Sequence, residues 1–170
     1  MSLRRSCAWL AAAAIIVVLA ACAGEREKLA PKSASIPAGI NLSGRWRLVG
    51  EDALAKRRST PDVLVAVFLE TGSELKVTQT TDGLFISFDR SVVEEYRFGE
   101  LREVNVGPVA ADRASGWDGV RYVIETLDED GVKLLETYRL EDDGTSLLRT
   151  ITILRKEARE LDVRQVFERS

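Results

Sequence analysis

The chain has 170 residues, with 24 basic and 27 acidic side chains, no histidine and two cysteines. Its formal charge of −3 argues against nucleic acid, whose recognition usually needs a basic face. The missing imidazole excludes Ser-His-Asp triads, Cys-His pairs, and zinc or copper sites built on histidine, which leaves carboxylates as the main catalytic option.

In chain order, Arg4 and Arg5 precede an apolar stretch from Cys7 to Ala23. A basic start, an apolar run and small residues at its end form the pattern of a secretory signal. The run is also near the lower limit for spanning a bilayer core of about 30 Å, so an uncleaved signal anchor is the alternative. Leu19-Ala20-Ala21-Cys22 closes the run. This resembles the bacterial lipobox, in which an apolar residue and two small ones precede a cysteine. The resemblance implies a diacylglyceryl group on the Cys22 thiol, cleavage before it, and acylation of the new amino group. Two or three acyl chains make a durable anchor where one holds only reversibly. Ala23 stands where a retained inner-membrane lipoprotein often has aspartate, so the same resemblance places the protein at the outer membrane, facing the periplasm.

Removing residues 1–21 subtracts Arg4 and Arg5 and no acid from the 24 basic and 27 acidic side chains, leaving a formal charge of −5. Such a surface offers no polybasic attraction to anionic lipid, so membrane attachment falls to the anchor. Cys22 is then the only cysteine, and no disulfide can form within the mature chain, although an oxidising compartment would permit one. No cofactor is expected beyond the covalent lipid on Cys22. Residues 23–40 hold Pro31, Pro37, Ser33, Ser35 and the charged cluster Glu25-Arg26-Glu27-Lys28, with no sustained apolar period. They read as a flexible tether, whose 18 residues would span about 20–25 Å as a coil. The expected organisation is a signal peptide over 1–21, a lipidated cysteine and flexible linker over 22–40, and a β-barrel domain over 41–170.

From Asn41 the pattern becomes short alternating runs between turn signals, the mark of antiparallel sheet. Arg45 to Val49 is the first run. Leu75 to Gln79 and Leu84 to Phe88 flank Asp82-Gly83, a strong hairpin signal. Val92 to Phe98 and Leu101 to Val106 follow, then a Gly/Ala/Asp-rich break. Val120 to Leu127, Val132 to Leu140, Leu147 to Leu154 and Leu161 to Arg169 complete the series. Between the first two runs, Pro61 to Leu69 suits a short helix with Thr60 as N-cap and proline in the first position; its Val65, Val67 and Phe68 would also suit a strand. The spacing predicts an all-β, mainly antiparallel domain of roughly eight to ten strands with one short helix. Sequential hairpins with no covered edges close most simply as an up-and-down barrel.

Ser43-Gly44-Arg45-Trp46, near the first strand, resembles the Gly-x-Trp signature of lipocalins. The resemblance implies a tryptophan plugging one barrel end under an arginine from the last strand. Arg164 and Arg169 are the candidates, in a stacking contact worth about 0.5–2 kcal/mol. Trp117-Asp118-Gly119 and the final hairpins are similar to the fatty-acid-binding branch of the same superfamily. In that branch an Arg-x-Tyr on the last strand grips a ligand carboxylate, and the matching positions here are Gln165 and Phe167.

Other features have plainer readings. Trp46 and Trp117 could line a ligand cavity or fill the barrel end as core. Gly116 to Gly119 could form a mobile mouth loop or a tight turn. Glu94 and Glu95 point to opposite strand faces, as do Tyr138 and Arg139. Asp128-Glu129-Asp130 lacks the spacing of a calcium loop and reads as solvated turn. No catalytic constellation remains, although a carboxylate-based hydrolase would need only two acids converging in one pocket. The expectation is a non-catalytic binding module, membrane-anchored, for an apolar or amphipathic molecule or an envelope protein. The alternative is a structural or assembly lipoprotein with a filled barrel and no small ligand.

Overall fold

Alternating apolar and polar residues carry the chain through one antiparallel sheet of ten strands. These are β1 (Gly44–Ala53), β2 (Glu74–Gln79), β3 (Gly83–Phe88), β4 (Val92–Arg97), β5 (Glu100–Val106), β6 (Val109–Asp118), β7 (Arg121–Asp128), β8 (Val132–Glu141), β9 (Ser146–Arg155) and β10 (Ala158–Arg169). The structure, a computed structural model, describes residues 27–53, 73–89, 92–141, 144–156 and 158–170. The expected signal peptide, Cys22 and the helix expected at Pro61 to Leu69 lie outside the described residues, among which there is no α-helix.

Each run read from alternation has its strand. The strand that alternation missed is β6, in the stretch expected to be a break. Ala110, Ala111, Ala114 and Gly116 have little intrinsic preference for a strand. Pairing on both sides supplies what propensity does not, from Val106↔Val109 against β5 to Asp118↔Arg121 against β7.

The sheet order is β4-β3-β2-β1-β10-β9-β8-β7-β6-β5. Every neighbour but one is a sequential hairpin, and β1 with β10 closes the circuit, placing Trp46 opposite Arg169. The remaining gap lies between β4 and β5. These strands are joined by the two-residue turn Phe98-Gly99 yet form no ladder. Gly99 has φ 73°, a left-handed conformation that glycine adopts without steric cost. Side chains bridge the seam instead: Ser115 Oγ donates to the Arg97 carbonyl at 2.9 Å, and Arg102 Nη2 to the Glu95 carbonyl at 3.3 Å.

The core is divided. Leu42, Trp46, Leu75, Leu84, Tyr96, Trp117, Tyr122, Tyr138, Leu147 and Phe167 belong to the cluster that plugs one end. Val106, Val132, Leu134, Ile151, Ile153, Leu161 and Val163 form a second cluster toward the far rim.

The segment read as a flexible linker is, from Glu27 onward, laid along the barrel. Leu29 packs on Ala114 and Leu127, the outward faces of β6 and β7. Lys32 pairs with Glu125 at 2.9 Å, and Glu27 with Lys133. Ser33 and Trp117 exchange backbone hydrogen bonds at 3.2 and 2.8 Å, occupying the slot beside β6 just beyond the start of β5. This strap explains why β7 is buried on both faces. Hydropathy periodicity had no means of showing it, because one leucine, two ion pairs and one backbone bridge do the holding.

Candidate functional site

Period two sends Leu147, Arg149, Ile151 and Ile153 of β9 inward, along with Leu134, Glu136 and Tyr138 of β8. The lumen therefore receives one cation and one acid on adjacent strands. Both side chains are fully buried, and Arg149 Nη2 reaches Glu136 Oε2 at 2.6 Å. Arg149 Nε donates to the same oxygen at 3.1 Å, and so does the Tyr138 hydroxyl at 3.1 Å. Three donors thus crowd Oε2, in place of the fork in which a guanidinium serves both carboxylate oxygens.

The network continues toward β1. Arg149 Nη1 donates to Gln165 Oε1 at 3.2 Å, and Gln165 Nε2 donates to Glu51 Oε2 at 2.8 Å. The Arg149 guanidinium lies 5.1 Å from the Phe88 ring centre and 5.7 Å from that of Tyr138. On the β4–β6 side, Arg113 sits 5.1 Å from the Tyr96 ring centre and 3.4 Å from Glu94. A polar belt thus separates the two apolar clusters.

Hydrogen-bonding capacity is left over in this belt. Among the described residues, Glu136 Oε1, Tyr96 Oη, Thr126 Oγ1 and Arg113 Nε are buried without a partner, as is Trp117 Nε1 nearer the plug. A buried polar group left unpaired costs about 1–3 kcal/mol, so the belt is an unfinished network. Burial pushes the Tyr96 and Tyr138 hydroxyls well above the usual phenol value, with the Glu136 charge adding to the effect in both. Burial likewise raises Tyr122. Burial also opposes charge on Arg149, but Tyr138 and Glu136 more than offset it, so the guanidinium stays charged.

Arg149 and Glu136 escaped sequence reasoning, although a signal existed. Each shares the strand parity of its apolar neighbours, and a charge in phase with an apolar face marks a buried charge. The residues singled out from sequence fall elsewhere. Trp46 is fully buried in the plug and donates from Nε1 to the Leu42 carbonyl at 3.1 Å. The Arg169 guanidinium covers its ring at 4.3 Å, while Nη1 donates to the Ser43 carbonyl at 2.9 Å. Arg164 points outward, 3.8 Å from Glu141, and does not approach Trp46. Trp117 stands at the plugged end in an aromatic triangle with Phe98 and Tyr122, centroids 5.3–5.7 Å apart. Gly116 to Asp118 is the end of β6 and not a loop. Gln165 and Phe167 both face inward, and Gln165 sits directly opposite Arg149 in the ladder. The guanidinium that the resemblance would place on the last strand is thus one strand over, already holding a carboxylate of this chain.

No protein-family model matches the chain, and no curated protein does. Solved structures do. Apo lipid binding protein 8 of Caenorhabditis elegans superposes with a TM-score of 0.56 at 14% identity, covering 76% of this chain and 95% of that one. Fatty-acid-binding protein 1 of Echinococcus granulosus gives 0.54 at 13%, covering 75% and 96%. Zebrafish ileal bile acid-binding protein, solved with cholic acid, gives 0.51 at 13%, covering 76% and 98%. The fold is a nearly closed, calycin-like barrel. Within such a barrel the belt of Arg149, Glu136, Tyr138 and Gln165 crosses the lumen, where these neighbours share the architecture at identities too low to carry over a ligand.

Proposed function

We propose that this calycin barrel is a non-catalytic binding module, held at a membrane by lipid on Cys22, for an amphipathic molecule whose polar group donates hydrogen bonds. Glu136 Oε1, which like Tyr96 Oη, Thr126 Oγ1 and Arg113 Nε has no partner among the described residues, carries the reading. An alcohol, amide or amine on an apolar chain would finish this network while its tail lay against Ile151, Leu134 and Val163. A free carboxylate fits poorly, because Glu136 already occupies Arg149. The lipid- and bile-acid-binding neighbours support the apolar part of the reading by architecture alone. The lipobox at Cys22 supports the anchor, and its place before Ala23 supports the outer membrane.

A second reading draws on a different observation. Trp46, Tyr96, Glu136, Arg149, Ile151 and Phe167 are all at 0% exposure, the packing expected of an interior filled by its own side chains. In that reading the barrel is filled and the protein serves the envelope through its outer surface. Native mass spectrometry of the delipidated domain with dodecanol, dodecanamide and dodecanoic acid separates the two. The proposal expects the alcohol or amide to bind better than the acid, and Glu136→Gln to erode that preference. Failure of all three to bind a well-folded domain would leave the filled barrel standing.

A further inference from the structure

We infer that the strap turns the far rim of the barrel, the end opposite the Trp46 plug, toward the lipid surface; the inference rests on the anchor at Cys22 proposed above. Glu27 pairs with Lys133, next to the Glu129–Gly131 turn between β7 and β8. This turn belongs to the far rim, where Val132 and Leu134 join the second core cluster. From there the strap descends the outer wall. Leu29 lies on Ala114 and Leu127, Lys32 meets Glu125, and Ser33 bridges to Trp117 at the plugged end. Ile40 and Leu42 then pack into the plug itself. The chain therefore meets the barrel at the rim opposite the start of β1, the strand it goes on to form.

Only residues 23–26 separate Cys22 from Glu27. Five residue steps reach at most about 17 Å when fully extended. From the level of Leu127, six residues of β7 lead to Arg121 at the plugged end, about 20 Å farther along the strand. The layer of residues 34–43 lies beyond that. An inverted barrel, plug toward the bilayer, would need the strap to peel away. Charge at this rim is mixed, with Glu129 and Asp130 exposed on the β7–β8 turn and Lys156 and Arg159 exposed at the β9–β10 turn, so the orientation rests on the leash. An amphiphile would accordingly pass between the leaflet and this far rim without first crossing open water.

The test uses the full chain, processed in a bacterium, purified with its lipid and reconstituted into phosphatidylethanolamine–phosphatidylglycerol vesicles containing a headgroup-level quencher lipid. Lipidation blocks the Cys22 thiol, so a single added cysteine takes the fluorophore. The sites are Glu129→Cys at the far rim and Val120→Cys at the plugged end, both exposed. The label at 129 should be quenched several-fold more than the label at 120, and a long Gly-Ser insertion after Gly24 should abolish the difference. Equal or reversed quenching on lipidated protein overturns the orientation while the anchor stands. An unmodified Cys22 thiol, with the chain in the soluble fraction, overturns the anchor and the orientation with it.

Discussion

Arg149 and Glu136 are each expensive to bury, and each is tolerable only because of the other. Removing one partner of a buried ion pair costs about 3–5 kcal/mol, whereas replacing both with well-packed apolar residues is often neutral or stabilising. Arg149→Met should therefore lower the urea midpoint by an amount equivalent to about 3–5 kcal/mol, and adding Glu136→Leu should recover most of the loss. Equal slopes in denaturant would show that both variants unfold from the same compact state. A cost below about 1 kcal/mol for the single variant would match an exposed pair and show that the lumen is wet. This prediction was available from strand parity, but only to a reader counting charges on the apolar face. Parity also separates Arg169 from Arg164, since Arg169 shares the inward face of Phe167 and Gln165. The Trp46–Arg169 contact was therefore legible from the motif and the alternation together. The unpartnered atoms were not, because they depend on which side chains meet across the lumen.

Among the elements, alternation and turn chemistry made nearly all of the barrel readable, and the two exceptions adjoin each other. β6 hides because it is built of alanine, serine and glycine, and the strap hides because it has no period. The same fact explains both: small outward residues on β6 leave the room in which the strap lies. Gly116 is where the strap presses closest on β6. A Cβ there would come within 2.6 Å of the Ser33 carbonyl, 2.8 Å of Lys32 Cβ and 3.0 Å of the Gly99 amide nitrogen. Backbone atoms make up two of those three contacts, so they cannot swing aside as a side chain would. Gly116→Ala should consequently lift the strap and leave the strands in place. Trypsin should then cut after Lys28 and Lys32 much faster than in the parent, with the far-ultraviolet circular dichroism unchanged. Unaltered cleavage would mean that the Leu29 contact and the ion pairs hold the strap without the Ser33–Trp117 bridge.

At the scale of the whole molecule, all three tyrosines of the chain are buried in one interior and shifted the same way. Desolvation is the leading cause at Tyr96, Tyr122 and Tyr138. Above the unfolded value near 10, an unfolded chain has released its phenolic protons while the folded barrel keeps them. The folded state then binds more protons, and stability falls as pH rises. Below that value tyrosine contributes no pH dependence. The decline should be about 1.4 kcal/mol per pH unit for each tyrosine, so about 4 kcal/mol per unit for all three. Tyrosinate absorbance should therefore stay absent past pH 10 and appear in one step as the barrel unfolds. Tyr96→Phe sharpens the test, because its hydroxyl has no partner to lose among the described residues. Removing an unpaired buried hydroxyl should raise stability at neutral pH by about 1 kcal/mol and reduce the alkaline slope by about a third. If the variant is instead destabilised at neutral pH, that hydroxyl is satisfied in solution, by water or by the polar group of a bound amphiphile. Comparing delipidated protein before and after extraction of co-purified small molecules then separates water from ligand: only a bound amphiphile would make the destabilisation disappear on extraction.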